Sequence, residues 1–69
     1  MNKDKREDDY IIVAKFAVTL EQAGTYQTAS RLWTEAALLS INPINKQWAN
    51  SRGSFCERQF NKMNNTPRK

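Results

Sequence analysis

Apolar residues recur at intervals of three and four along most of the chain, which is the period of an α-helix. Turn-forming residues divide the pattern into three segments, with Gly24 after the first and Asn42-Pro43 after the second. The pattern therefore predicts an all-α fold, a single three-helix domain. The run Ile11-Ile12-Val13 is also compatible with a strand, but no alternating partner strand follows it, so we favour a helix there.

The first predicted helix starts with Asp8 or Asp9 as its N-cap and runs to about Ala23. Acidic residues suit this end because the helix dipole is positive there. Two adjacent apolar rows make a broad face, suited to contact with more than one helix. The rows are Ile12, Phe16 and Ala23, and Val13, Ala17 and Leu20.

A tight turn at Gly24 joins the first two helices. We expect Gly24 to take the left-handed conformation just past a helix end, which costs glycine nothing. Thr25 is then the predicted N-cap, with its hydroxyl bonded to free N–H groups of a second helix from about Tyr26 to Ser40. The residues predicted to be structural in this hairpin are Gly24, Tyr26, Ala29, Trp33 and Ala36.

The third predicted helix begins at about Ile44 or Asn45 and ends at about Lys62. Asn42 can cap it, with Pro43 in the first helical position, and Asn45 is an alternative cap one turn later.

Glycine inside a helix lowers its stability by about 1 kcal/mol relative to alanine. Gly53 lies within the third predicted helix, so we expect a kink or a close helix contact there. The predicted organisation is a flexible arm over residues 1–7, a helical regulator domain over 8–63 and a disordered basic tail over 64–69.

The chain has 69 residues, of which 39% are hydrophobic. Domains of this size bury only about 60% of their chain surface, so we expect packing against a second copy, as a homodimer, or against another protein. The apolar run after the charged N-terminus is too short for a signal peptide or a membrane helix, which predicts a cytoplasmic protein without membrane contact.

Candidate chemistry is sparse. Histidine is absent and Cys56 is the single cysteine. Without histidine, the chain lacks the commonest general base and metal ligand. With one cysteine, it cannot form an intrachain disulfide. We therefore predict no enzymatic activity, no metal and no cofactor, with Cys56 a buried small hydrophobe.

Positive charge is concentrated at the C-terminal end. Residues 42–69 contain six basic residues and one acidic residue, whereas the net charge of the whole chain is +4. Trp48, Phe55 and Phe60 are interleaved with these cations, which permits contact with nucleic acid. A small DNA-binding regulator that uses the third helix is thus the alternative to a protein-binding module.

Two sequence patterns carry a family resemblance. The first, Gly24-x-Tyr26-x-x-Ala29-x-x-x-Trp33-x-x-Ala36 followed by Asn42-Pro43, resembles the second half of a tetratricopeptide unit and is shared with PerC-like regulators. The second is Asn45-x-x-Trp48-x-x-x-Arg52-x-x-Phe55-Cys56. Together, over roughly Ala14 to Arg58, they resemble the AraC negative regulator (ANR) family.

The resemblance implies a negative regulator, a repressor of virulence gene transcription. Such proteins bind AraC/XylS-type activators directly and stop their dimerisation or DNA binding, and some act through nucleoid proteins of the H-NS type. With the apolar face of the first helix and part of the third as the docking surface, the predicted partner-binding residues are Ile12, Phe16, Leu20, Trp48, Arg52 and Phe55.

Overall fold

The computed structural model describes the backbone of residues 5–64 and the side chains of residues 6–64. It contains three helices, α1 (Lys5–Gln22), α2 (Tyr26–Leu39) and α3 (Pro43–Asn64), and no strand in that range. α2 is the central element: α1 and α3 both pack against it and make few direct contacts with each other. The predicted all-α, three-helix architecture is confirmed.

α1 begins earlier than the sequence predicted. The N-cap at Asp8 or Asp9 is wrong, because residues 5–7 already belong to the helix. Within this turn, the Glu7 carboxylate accepts hydrogen bonds from Ser40 Oγ at 3.2 Å, from the Ile41 N–H at 3.0 Å and from Asn45 Nδ2 at 2.9 Å. These contacts attach the first turn of α1 to the α2–α3 turn. Residues 1–4 of the predicted arm lie outside the described residues.

The α1–α2 turn is a Schellman motif. Gly24 has φ of 82°, which confirms its predicted left-handed conformation. The Thr25 N–H donates to Leu20 O at 2.9 Å and the Gly24 N–H donates to Glu21 O at 3.0 Å, which satisfies two carbonyls at the end of α1.

The expected hydroxyl cap at Thr25 is wrong. Thr25 occupies the N-cap position of α2 but its side chain makes no capping hydrogen bond. Its ψ of 71° departs from the extended conformation that normally aims a capping oxygen at the next N–H groups.

The α2–α3 turn follows the first of the two predicted caps. Asn42 Oδ1 accepts hydrogen bonds from the N–H groups of Ile44 at 2.8 Å and Asn45 at 3.2 Å, and Pro43 is the first residue of α3. The alternative cap at Asn45 is wrong, since that side chain donates to Glu7. Asn64 is helical rather than part of the tail, and residues 65–69 lie outside the described range.

Trp33 is the centre of the core and is only 1% exposed. The other buried hydrophobic residues are Tyr10, Ala17, Ala29, Ala36, Ala37, Ala49 and Cys56. Small residues predominate, so the backbones approach closely around the indole. A Cβ added to Gly53 would lie 3.3 Å from Trp33 Cβ, which places a close α2–α3 contact at this glycine.

In the part of the chain that the structure describes, no helix has the length and apolar character needed to cross a membrane.

Candidate partner-binding surfaces

Glu21 connects all three helices. Its Oε1 accepts a hydrogen bond from Trp33 Nε1 at 3.0 Å, and its Oε2 forms a salt bridge with Arg52 of α3. The Arg52 guanidinium also lies 4.4 Å from the centroid of the Phe55 ring. We call Glu21, Trp33 and Arg52 the Glu21 cluster. The Glu21 cluster fixes the C-terminal turn of α1 relative to α2 and α3.

Half of the predicted partner-binding residues make contacts within the domain that stabilise the fold. Leu20 is half-buried and packs against the core. Phe55 is half-buried and stacks edge-to-face on Tyr26, with ring centroids 6.3 Å apart. Arg52 is half-buried within the Glu21 cluster. These three side chains offer a partner less surface than the sequence suggested.

The other half is well exposed. Ile12 is 54% exposed, Phe16 is 61% exposed and Trp48 is 55% exposed. Large apolar side chains that remain in solvent on so small a domain are candidate anchors for a partner.

These exposed anchors lie on two neighbouring stripes of the exposed side of α1. Ile12 and Phe16 are four residues apart and share one stripe of α1, which we call the outer face. Trp48 instead lies beside a second stripe of α1 that contains Ile11 and Val18. By the 3.6-residue period, this stripe is about a third of the helix circumference away from the outer face. α2 covers the opposite side of α1, and the surface between the two stripes is exposed but polar, with Asp8, Lys15 and Thr19. One docking face formed by α1 and part of α3 stays a prediction.

Between α1 and α3 there is an open apolar groove. Its lining includes Ile11, Lys15 and Val18 of α1, Trp48 of α3, and Trp33 of α2. Ile11 and Val18 were not among the predicted partner-binding residues. Their seven-residue spacing marks a further apolar row in the sequence, and the structure shows that this row is exposed.

The basic residues of α3 are partly engaged within the domain. Lys46 Nζ donates to Ala37 O at 3.1 Å, and Arg52 is bound to Glu21. Arg58 and Lys62 are exposed, whereas Arg68 and Lys69 lie outside the described residues. The surface available for the nucleic-acid alternative is therefore smaller than the charge count implied.

Cys56 of α3 is fully buried in the core. Burial raises the pKa of its thiol, and the positive charge of Arg52 offsets this only in part. A thiol with a raised pKa is a poor nucleophile at neutral pH. Across the described residues, no group of three or more histidine, cysteine or acidic side chains is arranged to hold a metal ion.

Comparison with known proteins adds one relative. A protein of Haemophilus influenzae described as an uncharacterized protein in the Mu-like prophage FluMu region is 45% identical over 49 residues. The match covers 71% of this chain and 66% of the relative, so the chain spans just under two thirds of the relative's length. No family model matches the chain, and no solved structure matches it.

Proposed function

We propose that this protein is a small negative regulator of transcription that binds an AraC/XylS-type activator directly and stops it from dimerising or contacting DNA. The observation that carries the proposal is the outer face, where Ile12 and Phe16 are more than half exposed side by side. Neighbouring large apolar side chains are typical anchors of protein–protein interfaces. The resemblance to the ANR family supplies the class of partner.

The outer face is preformed, which favours tight binding. α1 is attached to the rest of the domain at both ends, through Glu7 at its first turn and Glu21 near its last. A rigid surface loses little conformational entropy when it binds. In this proposal Phe16 fills an apolar pocket on the activator and the body of the domain blocks the surface that the activator needs for a second copy or for DNA.

Three finer features belong to the same proposal. The α1–α2 hairpin is the tetratricopeptide-like part of the domain. The regulator acts as a homodimer, because a chain of this length leaves apolar surface uncovered. A nucleoid protein of the H-NS type is a second possible class of partner.

The test is the anisotropy of labelled promoter DNA bound by an AraC/XylS-type activator of the same host. Adding this protein in excess should release the DNA. Phe16→Glu should abolish the release because it places a charge in the docking pocket. Leu38→Glu is the matched control, since Leu38 is 75% exposed on α2, away from the outer face.

Two outcomes would contradict the proposal. One is activator–DNA binding that wild-type protein in excess leaves unchanged. The other is direct binding of this protein to the promoter without activator, lost on substitution of Arg58 and Lys62 by alanine, which would support the DNA-binding alternative instead.

A further inference from the structure

We propose that a second copy of this chain docks on the apolar groove, with its α1 antiparallel to α1 of the first copy about a two-fold axis beside Ile11. This inference deepens the homodimeric state contained in the proposed function. It assigns the dimer to the groove and leaves the outer face free for the activator.

A regular stripe of α1 borders the groove. Its members follow one another at intervals of three and four residues, and all are exposed: Asp8, Ile11, Lys15, Val18 and Gln22. This is the spacing of a helix–helix seam, in which every member faces the same neighbour. Ile11 is 47% exposed and Val18 is 39% exposed, so the apolar members of the stripe are not covered within one chain.

The charges of the stripe indicate that the occupant is a second copy. Asp8 and Lys15 are seven residues apart, about 10.5 Å along the helix, too far to pair with each other. Neither forms a salt bridge within the described residues. In an antiparallel pair centred beside Ile11, Asp8 faces Lys15 of the second copy, and the two-fold axis repeats the contact. A parallel pair would instead set like charges side by side.

The outer face lacks this self-complementarity. The positions that correspond to Asp8–Gln22 on its stripe are Asp9, Ile12, Phe16, Thr19 and Ala23, which include an acid but no cation. Two copies docked there in the equivalent register would set Asp9 opposite Phe16 and would gain no ion pair from these positions. The charge pattern therefore distinguishes the two exposed surfaces of α1.

Trp48 enlarges the groove surface. Two aliphatic positions bury little area in a helix pair, whereas Trp48 contributes the largest exposed aromatic ring beside them. The two-fold axis of an antiparallel pair is perpendicular to the plane of the two α1 helices, so the grooves of both copies open on the same side of that plane. Each copy therefore contributes one Trp48 to the dimer interface.

The test is analytical ultracentrifugation of the full chain over a range of concentrations. Wild-type protein should dimerise. Asp8→Lys and Lys15→Asp should each weaken the dimer by about tenfold, because each replaces two attractive pairs by two repulsive ones. The double variant restores opposite charges and should return most of the lost affinity. Asp9→Lys and Lys62→Glu are controls, since they change charge by the same amount away from the stripe.

Three results would overturn the inference. They are a wild-type chain that stays monomeric at its highest soluble concentration, single charge swaps that leave the dimer unchanged, and a double swap that fails to restore it. Activator binding is measured separately with the double variant, whose outer face is intact. Absence of activator binding by both the dimeric wild-type protein and the double variant would contradict the proposed function without contradicting the dimer.

Discussion

At the scale of single residues, Trp33 and Glu21 depend on each other. The buried indole needs an acceptor for its N–H, and Glu21 supplies one at 3.0 Å. The second oxygen of Glu21 is held by Arg52. Removing one member of such a cluster leaves a largely desolvated polar partner unpaired, which costs more than the hydrogen bond itself contributes.

Substitution of Trp33 tests both its packing and its hydrogen bond. Trp33→Ala should lower the free energy of unfolding by about 3–5 kcal/mol, because it leaves a cavity at the centre of the core. Trp33→Phe keeps much of the volume but leaves Glu21 Oε1 without its donor, at a cost of about 1–3 kcal/mol. Urea denaturation followed by circular dichroism gives these values. Trp48→Ala is the matched control, because Trp48 is exposed. A Trp33→Ala protein as stable as wild type would contradict the assignment of Trp33 as the centre of the core.

At the scale of elements, Glu7 connects the first described turn of α1 to the α2–α3 turn. The Asn45 amide, the Ile41 N–H and the Ser40 hydroxyl all donate to Glu7. The Asn45 bond is the largest cause that lowers the pKa of Glu7 below its ordinary value of 4.5, followed by the bond from Ile41. The ionised carboxylate is therefore more stable in the folded than in the unfolded chain.

This lowered pKa predicts a pH dependence of stability. A carboxylate with a lower pKa in the folded state stabilises the fold above the unfolded-state pKa, and the effect is lost as the pH falls through the folded-state value. The difference in unfolding free energy between wild type and Glu7→Gln should be largest near neutral pH. It should shrink as the pH is lowered below the ordinary value of 4.5.

Denaturation at a series of pH values measures this difference. Glu35→Gln on the exposed side of α2 is the control and should show a smaller change. A Glu7→Gln difference that is constant down to acidic pH would contradict the assignment of the anchoring contact to the ionised carboxylate.

The elements were predictable where their signals are local. Gly24 after α1 and Asn42-Pro43 before α3 act on neighbouring backbone groups, so sequence was sufficient to place both turns. The attachment of the first turn of α1 was not predictable, because Glu7 contacts residues 33–38 positions away. The exposure of the predicted partner-binding residues was only half predictable, because periodicity marks apolar rows but cannot say which of them α2 covers.

At the scale of the whole molecule, α2 covers one side of α1 and leaves two neighbouring apolar stripes exposed on the other side. One is the outer face of Ile12 and Phe16, and the other borders the groove with Trp48. In our proposals the first binds the activator and the second binds another copy. A dimer built in this way presents two outer faces, so one regulator dimer can occupy two activator subunits.

Calorimetric titration of this protein into a purified AraC/XylS-type activator at low salt tests the central claim most directly. Wild-type protein and Leu38→Glu should bind with equal affinity, whereas Phe16→Glu should bind at least about tenfold more weakly, the loss expected for a buried aromatic anchor. Absence of binding by the wild-type protein, or binding that Phe16→Glu leaves unchanged, would contradict the account.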